Sequence, residues 1–158
     1  DDLNFVGRVG IKGTRAGNFA MQNCDLLLVI GCRLPVPVTG YNYSTFAREA
    51  KVIVVDIDKD EHSKDTVKID RFIHRDAKDF FNVSLFDRQK DDWNETCLRW
   101  RDQWPICPSE NPSEKVDLYY FTKVLNELKG DDDVVISDAG SAYYVCSQAT
   151  SIKKNHIC

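Results

Sequence analysis

Two short apolar runs organise the first half of the chain. Asp25-Leu-Leu-Leu-Val-Ile-Gly31 is entered by an acid and closed by glycine, and Lys51-Val-Ile-Val-Val-Asp56 repeats the design between charged ends. Continuous hydrophobicity over so few residues predicts strands covered on both faces, as in a parallel sheet. Parallel neighbours need a crossover, and Tyr43 to Ala50, with Phe46 and Ala47 facing inward, is expected to supply it as a helix. Upstream, Thr14 to Asn23 carries Phe19, Ala20 and Asn23 at helical spacing behind a glycine-rich entry at Gly10 and Gly13. Downstream, Thr66 to Ile69 alternates as a short strand would, and Asp76 to Phe86 sets Phe80, Phe81 and Leu85 on one face behind Asp76 as N-cap. The alternation predicts the α/β class, with a doubly wound, Rossmann-like parallel sheet.

From Arg88 the texture changes. Trp93, Leu98, Trp100 and Trp104 stand among charges and are followed by Pro105, Pro108 and Pro112, a pattern that predicts a helix running into a linker. Leu118, Phe121, Leu125 and Leu128 then recur at helical spacing, Gly130 stops the run, and Val134-Val-Ile136 is expected to begin a new buried strand. The expected organisation is a central layer over 1–87, a helix and proline-containing linker over 88–115, and the opening of a second α/β domain over 116–158. That last stretch is too short to bury a core alone, so the chain is expected to be a piece of a longer protein.

Composition narrows the classes further. A hydrophobic content of 42% with 29% charged residues is globular, and a net charge of -4 without a basic stripe argues against a nucleic-acid partner. The longest apolar run, Leu26 to Gly31, is too short to cross a bilayer, and Asp1-Asp2 does not open an export signal, so no membrane is expected and the cytoplasm is the expected location. Cys24, Cys32, Cys97, Cys107, Cys146 and Cys158 include no C-x-x-C pair and are read as free thiols. His62, His74 and His156 lack the spacing of a metal set or a nucleophile dyad, and they are read as surface or satisfied residues.

Chemistry is expected at the ends of the strands. Gly31 lets a ligand approach the backbone and Arg33 offers a fork of donors for phosphate, although a plain strand-end turn explains both equally well. Asp56, at the close of the second strand, is placed to accept from ribose hydroxyls, whereas Asp58 is expected to turn the chain into Lys59 to His62. Ser137-Asp-Ala-Gly-Ser141 precedes a helix-like stretch from Tyr143 to Thr150. Backbone N–H groups there suit an anion, and Ser141 as a simple N-cap is the competing reading. There is no G-x-G-x-x-G dinucleotide fingerprint and no G-x-S-x-G elbow.

Taken in order, these segments resemble a known family. Gly7-Arg-Val-Gly-Ile-Lys-Gly-Thr14, Ala16-Gly-Asn-Phe-Ala20, Asp25 to Arg33, Phe46-Ala-Arg-Glu-Ala50, Val54-Val-Asp-Ile-Asp58, Ile73-His-Arg-Asp-Ala-Lys78 and Val135-Ile-Ser-Asp-Ala-Gly-Ser141 are similar to acetolactate synthase-like, thiamine-diphosphate-dependent enzymes. The resemblance implies three α/β domains, of which this chain holds most of the middle one and the start of the last. It implies thiamine diphosphate and Mg2+ as cofactors, a 2-oxo acid as substrate, decarboxylation with transfer of a two-carbon unit to a carbonyl acceptor, and a homodimer or homotetramer. The activating glutamate and the metal ligands would lie outside this chain, leaving it no catalytic or metal residues of its own. Ala139, Gly140, Ser141 and Ala142 match the first loop on the diphosphate, with Ser141 and Ala142 replacing the glutamine and histidine common there. Gly13, Thr14, Gly31, Arg33, Asp56, Ile57, Asp76 and Ala77 match contacts of a structural FAD. Pro35-Val36-Pro37, however, stands where flavin-binding relatives carry Asp-Asp-Arg, so weak or absent flavin binding is expected. The alternative from another class is a non-catalytic nucleotide-binding or scaffolding module of the same fold.

Overall fold

The computed structural model describes residues 3–83 and 92–151. Strands β1 (Leu26–Ile30), β2 (Lys51–Asp56) and β3 (Arg71–His74) form one parallel sheet in the order β1-β2-β3. Leu26 pairs with Lys51 and Ile30 with Val55, while Ile53 pairs with Arg71 and Asp56 with His74. The most continuous apolar run thus occupies the middle of the sheet. Val54 and Val55 of β2 have no exposed surface, which gives the sheet its largest burial per residue at about 25 cal/mol for each Å² of apolar surface removed from water.

Among the described residues six α-helices surround or follow the sheet: α1 (Arg15–Asn23), α2 (Val36–Thr39), α3 (Ala77–Val83), α4 (Asp92–Gln103), α5 (Leu118–Leu128) and α6 (Ser141–Ala149). Helix α1 begins where Thr14 Oγ1 accepts from the Gly17 N–H at 3.0 Å, a side-chain N-cap. Its inward face is Ala16, Gly17 and Met21, not the expected Phe19, Ala20 and Asn23. Phe19 instead packs edge-on against Trp100 and Trp104, with centroids 5.8 and 5.0 Å away, and joins α1 to α4. Asp76 caps α3 as expected, accepting from the Lys78 N–H at 2.8 Å. Phe80 is buried on that helix while Phe81 is exposed, because consecutive helical positions point about 100° apart. The expected third member of that face, Leu85, lies outside the described residues.

Three expected elements differ from those observed. Tyr43 to Ala50 is not a helix: only Tyr43–Thr45 makes a 3-10 turn, and Ala47 sits at a φ of 42°, which no helix admits. Local side chains explain the break, since Thr45 Oγ1 donates to the Asn42 carbonyl and Ser44 Oγ to Asn42 Oδ1. Phe46 and Ala47 are nevertheless buried, as expected. The third strand is Arg71–His74 instead of Thr66 to Ile69, because the ladder to β2 starts only where the Asp70 N–H reaches the Val52 carbonyl. Val134 to Ile136 is not a strand. Val134 and Ile136 are 69% and 90% exposed, and among the described residues no strand lies beside them to complete a ladder.

Helix α5 is capped by Asp117, which accepts from the Tyr119 and Tyr120 N–H groups, and it packs on α6 through Asn126, which bonds both Ala149 and Ser151. Cys24, Cys32, Cys107 and Cys146 are free thiols; Cys158 lies outside the described residues. No helix among the described residues is long and apolar enough to cross a membrane.

Hydrogen exchange should follow this unequal burial. Amides of Leu27 to Ile30 and Val52 to Val55 are expected to exchange slowest, and those of Val134 to Ile136 near the rate of unstructured chain. Equal protection in the two regions would mean that the C-terminal segment packs in a way this structure does not contain.

Candidate functional site

The carboxyl ends of the three strands converge. The Gly31 N–H donates to the Val55 carbonyl at 2.9 Å, the Arg75 N–H donates to the Asp56 carbonyl at 3.1 Å, and His74 is the register partner of Asp56. This brings Gly31, Arg33, Asp56, Ile57, Asp76 and Ala77 to one end of the sheet, where α/β layers place ligands. Gly31 has a φ of 59°, and nothing lies within 4 Å of where a Cβ would stand, so the turn is open to an approaching group.

Most of the polar groups there already have protein partners. Asp56 Oδ1 accepts from the Asp58 N–H at 2.9 Å, the Ile57 carbonyl accepts from His74 Nε2 at 2.9 Å, and Asp76 is occupied by its helix cap. Arg33 is 71% exposed and stands 3.7 Å from Glu61, a pair that water screens strongly. Asp58 Oδ1 accepts from the Glu61 N–H at 2.9 Å and so turns the chain, as its position predicted.

Sequence reasoning missed His62. Its side chain is 3% exposed, packs beside Phe72 with centroids 5.4 Å apart, and holds Nε2 3.3 Å from Asp56 Oδ2. The approach is within ion-pair distance but off the hydrogen-bond axis, leaving this buried nitrogen without a hydrogen bond. Such a group costs about 1–3 kcal/mol of desolvation when it stays unsatisfied. The available signal was its position six residues past a strand-ending acid.

The glycine-rich segment forms a separate, rigid loop. Asn18 clamps it by accepting from the Gly10 N–H at 2.7 Å and donating to the Gly10 carbonyl at 3.0 Å, while the Ile11 N–H reaches the Pro37 carbonyl at 2.8 Å. A side chain at Gly13 would meet the Arg8 carbonyl oxygen at 2.6 Å, so the close backbone crossing requires glycine. Gly13 and Thr14 line a cavity of about 420 Å³ with Arg15, Trp104, Tyr119 and Gln148, a different hollow from the one at the strand ends. The structure therefore does not gather all the matched nucleotide contacts in one cavity.

Residues 139–142 open helix α6. Gly140, at a φ of 77°, is the N-cap, so Ser141 is the first helical residue and not the expected cap. Gly140 has open space around it, and its carbonyl accepts from the Tyr144 N–H at 3.2 Å, leaving the preceding N–H groups of the first turn for an external acceptor. Two residues tie this turn to the glycine-rich loop. Lys12 Nζ donates to the Tyr143 hydroxyl and lies 3.5 Å from the centre of its ring, and Gln148 donates to the Gly13 carbonyl at 3.1 Å. No cluster of His, Cys, Asp or Glu among the described residues is arranged to hold a metal ion.

A three-stranded parallel sheet with helical segments alternating between its strands and an open glycine turn at its carboxyl end defines a Rossmann-like α/β layer. Residues 1–83 match the thiamine pyrophosphate enzyme central domain, and the chain belongs to that family. It is 34% identical over 142 residues to the acetolactate synthase isozyme 2 large subunit of Escherichia coli (strain K12), covering 86% of this chain and 24% of that protein. It is 33% identical over 152 residues to the probable acetolactate synthase large subunit of Methanocaldococcus jannaschii, covering 85% and 24%. With the acetolactate synthase large subunit of Pyropia yezoensis it shares 35% identity over 159 residues, covering 96% and 26%. The chain spans about a quarter of the length of these curated relatives.

The Asp56 carboxyl is held below its ordinary range, first by the Asp58 N–H and further by His62, with burial opposing. A depressed folded value stabilises the fold above the ordinary carboxylate range and is lost as pH falls through the folded value. Asp56→Asn should therefore lower resistance to urea more at about pH 7 than at strongly acid pH, the effect shrinking as pH falls through the folded value of the carboxyl. A difference of the same size at both pH values would show that the charge is not what stabilises this turn.

Proposed function

We propose that this chain is part of a thiamine-diphosphate-dependent, acetolactate synthase-like enzyme that decarboxylates a 2-oxo acid and transfers a two-carbon unit to a carbonyl acceptor. The observation that carries the reading is the similarity to acetolactate synthase large subunits, which runs through 85–96% of this chain and so continues past the central-domain match. In this reading residues 1–87 are most of the central domain, 88–115 a helix and proline-containing connection, and 116–158 the opening of the diphosphate-binding domain. The enzyme works in the cytoplasm as a homodimer or homotetramer.

The residues at the start of α6 fit a diphosphate. Ala139, Gly140, Ser141 and Ala142 present no bulky side chain, Gly140 leaves open space, and the first-turn N–H groups point outward with the positive end of the helix dipole behind them. When bound, thiamine diphosphate supplies an electron sink for breaking the carbon–carboxylate bond, while the protein supplies orientation and electrostatics. This chain's part is to seat the diphosphate on the α6 turn and to brace that turn through Tyr143 and Gln148. Mg2+ and the activating acid fall to residues beyond this chain.

For FAD the fit is poorer. Asp56 and Asp76 are engaged within the protein, and Pro35 to Pro37 contribute no charged contact. A fluorescence titration of the chain with FAD is expected to show no saturable binding in the submicromolar range, and saturation there would mean that the open backbone around Gly31 suffices.

Activity tests the main reading. Purified residues 1–158 with thiamine diphosphate, Mg2+ and pyruvate should give no turnover above a protein-free control, whereas the product of the complete reading frame should consume pyruvate and release carbon dioxide. That frame should also encode a downstream Gly-Asp-Gly followed by an asparagine. A complete product without that motif and without turnover would favour the non-catalytic module.

A further inference from the structure

We propose that the turn Glu61–Ser63 is a built-in cap on the strand-end crevice, with His62 as the positioning residue that withholds Asp56 from a ligand's vicinal hydroxyls. The β2-to-β3 connection doubles back through the Asp58–Glu61 hydrogen bond and delivers two side chains to the two best ligand candidates at once. Glu61 comes to 3.7 Å from Arg33 and is itself fastened to Lys64 at 2.7 Å, while the His62 imidazole comes to 3.3 Å from Asp56 Oδ2. Asp56 Oδ1 already accepts from the Asp58 N–H, so both carboxylate oxygens face protein groups.

The neighbouring cavity gives this arrangement its meaning. A hollow of about 320 Å³ is lined by Arg33, Pro35, Tyr43, Glu61, His62 and Lys64, among others, and Asp56 is not in its wall. The imidazole lines the hollow, lies beside Phe72 with ring centroids 5.4 Å apart, and comes to 3.3 Å from the acid. A nucleotide entering the hollow meets Arg33 and Lys64 for its phosphate but finds His62 where its ribose diol would need the carboxylate. The cap thus lowers affinity for ribonucleotides in general and removes the preference for ribose over a sugar without hydroxyls. The inference concerns this crevice alone, whether or not the protein uses thiamine diphosphate.

Calorimetric titration of the chain with adenosine 5′-monophosphate and with its 2′,3′-dideoxy analogue tests the cap. His62→Ala should bind the ribonucleotide roughly tenfold or more tighter than the unaltered chain, the factor expected of one charge-assisted hydrogen bond, with no gain for the dideoxy compound. His62→Gln should behave like the unaltered chain, since its amide keeps a polar side chain of similar reach beside Asp56. If His62→Ala does not fold, His62→Val, which keeps an apolar surface on Phe72, is read in its place. No gain on removing the imidazole, an equal gain for both nucleotides, or ribose preference already present in the unaltered chain would overturn the proposal.

Discussion

The structure depends on β2 being paired on both edges. Its ladder to β1 fixes where Gly31 and Arg33 emerge, and its ladder to β3 fixes where His74 to Ala77 emerge, so one strand positions all three tips. Val54 and Val55 hold that strand in place by complete burial, and Asp70 adds a polar tie by accepting from the Val52 N–H at 2.8 Å. A shift of β2 by one residue would send each of its side chains to the opposite face of the sheet and carry Asp56 away from its register partner His74. The chemistry at the crevice is therefore a consequence of the register.

The same dependence explains what was legible in the sequence. Leu26 to Ile30 and Lys51 to Asp56 could be placed because a continuous apolar run has one good solution when flanked by charge and glycine. Arg71 to His74 could not, since its charged ends hide Phe72 and Ile73, and its position follows from a ladder that only the folded chain defines. Tyr43 to Ala50 has helical composition. Its conformation is decided by Asn42, Ser44 and Thr45 bonding locally and by Ala47 at positive φ, effects that periodicity does not register.

Site residues divide along the same line. Gly31, Arg33, Asp56 and Asp76 were recognisable because a strand end is a predictable location. What each does there was not, because occupancy is a tertiary property: Arg33 meets Glu61, Asp56 meets His62, and Asp76 is used by α3. The contacts of Lys12 with Tyr143 and of Gln148 with Gly13 span more than 130 residues of sequence, and no local pattern announces them. They also give the glycine-rich loop a second role. Besides allowing the close backbone crossing at Gly13, it braces the turn at Gly140 that opens α6.

If the centrality of β2 is correct, a small loss of volume at its middle should be felt throughout the layer. Val54→Ala removes two methyl groups from a site with no exposed surface, and the lost transfer energy with the cavity left behind should cost about 2 kcal/mol. Urea unfolding of the variant against the unaltered chain measures this directly. The account predicts a loss of about that size in one cooperative transition. A loss under about 0.5 kcal/mol, the range of an ordinary surface substitution, would contradict it.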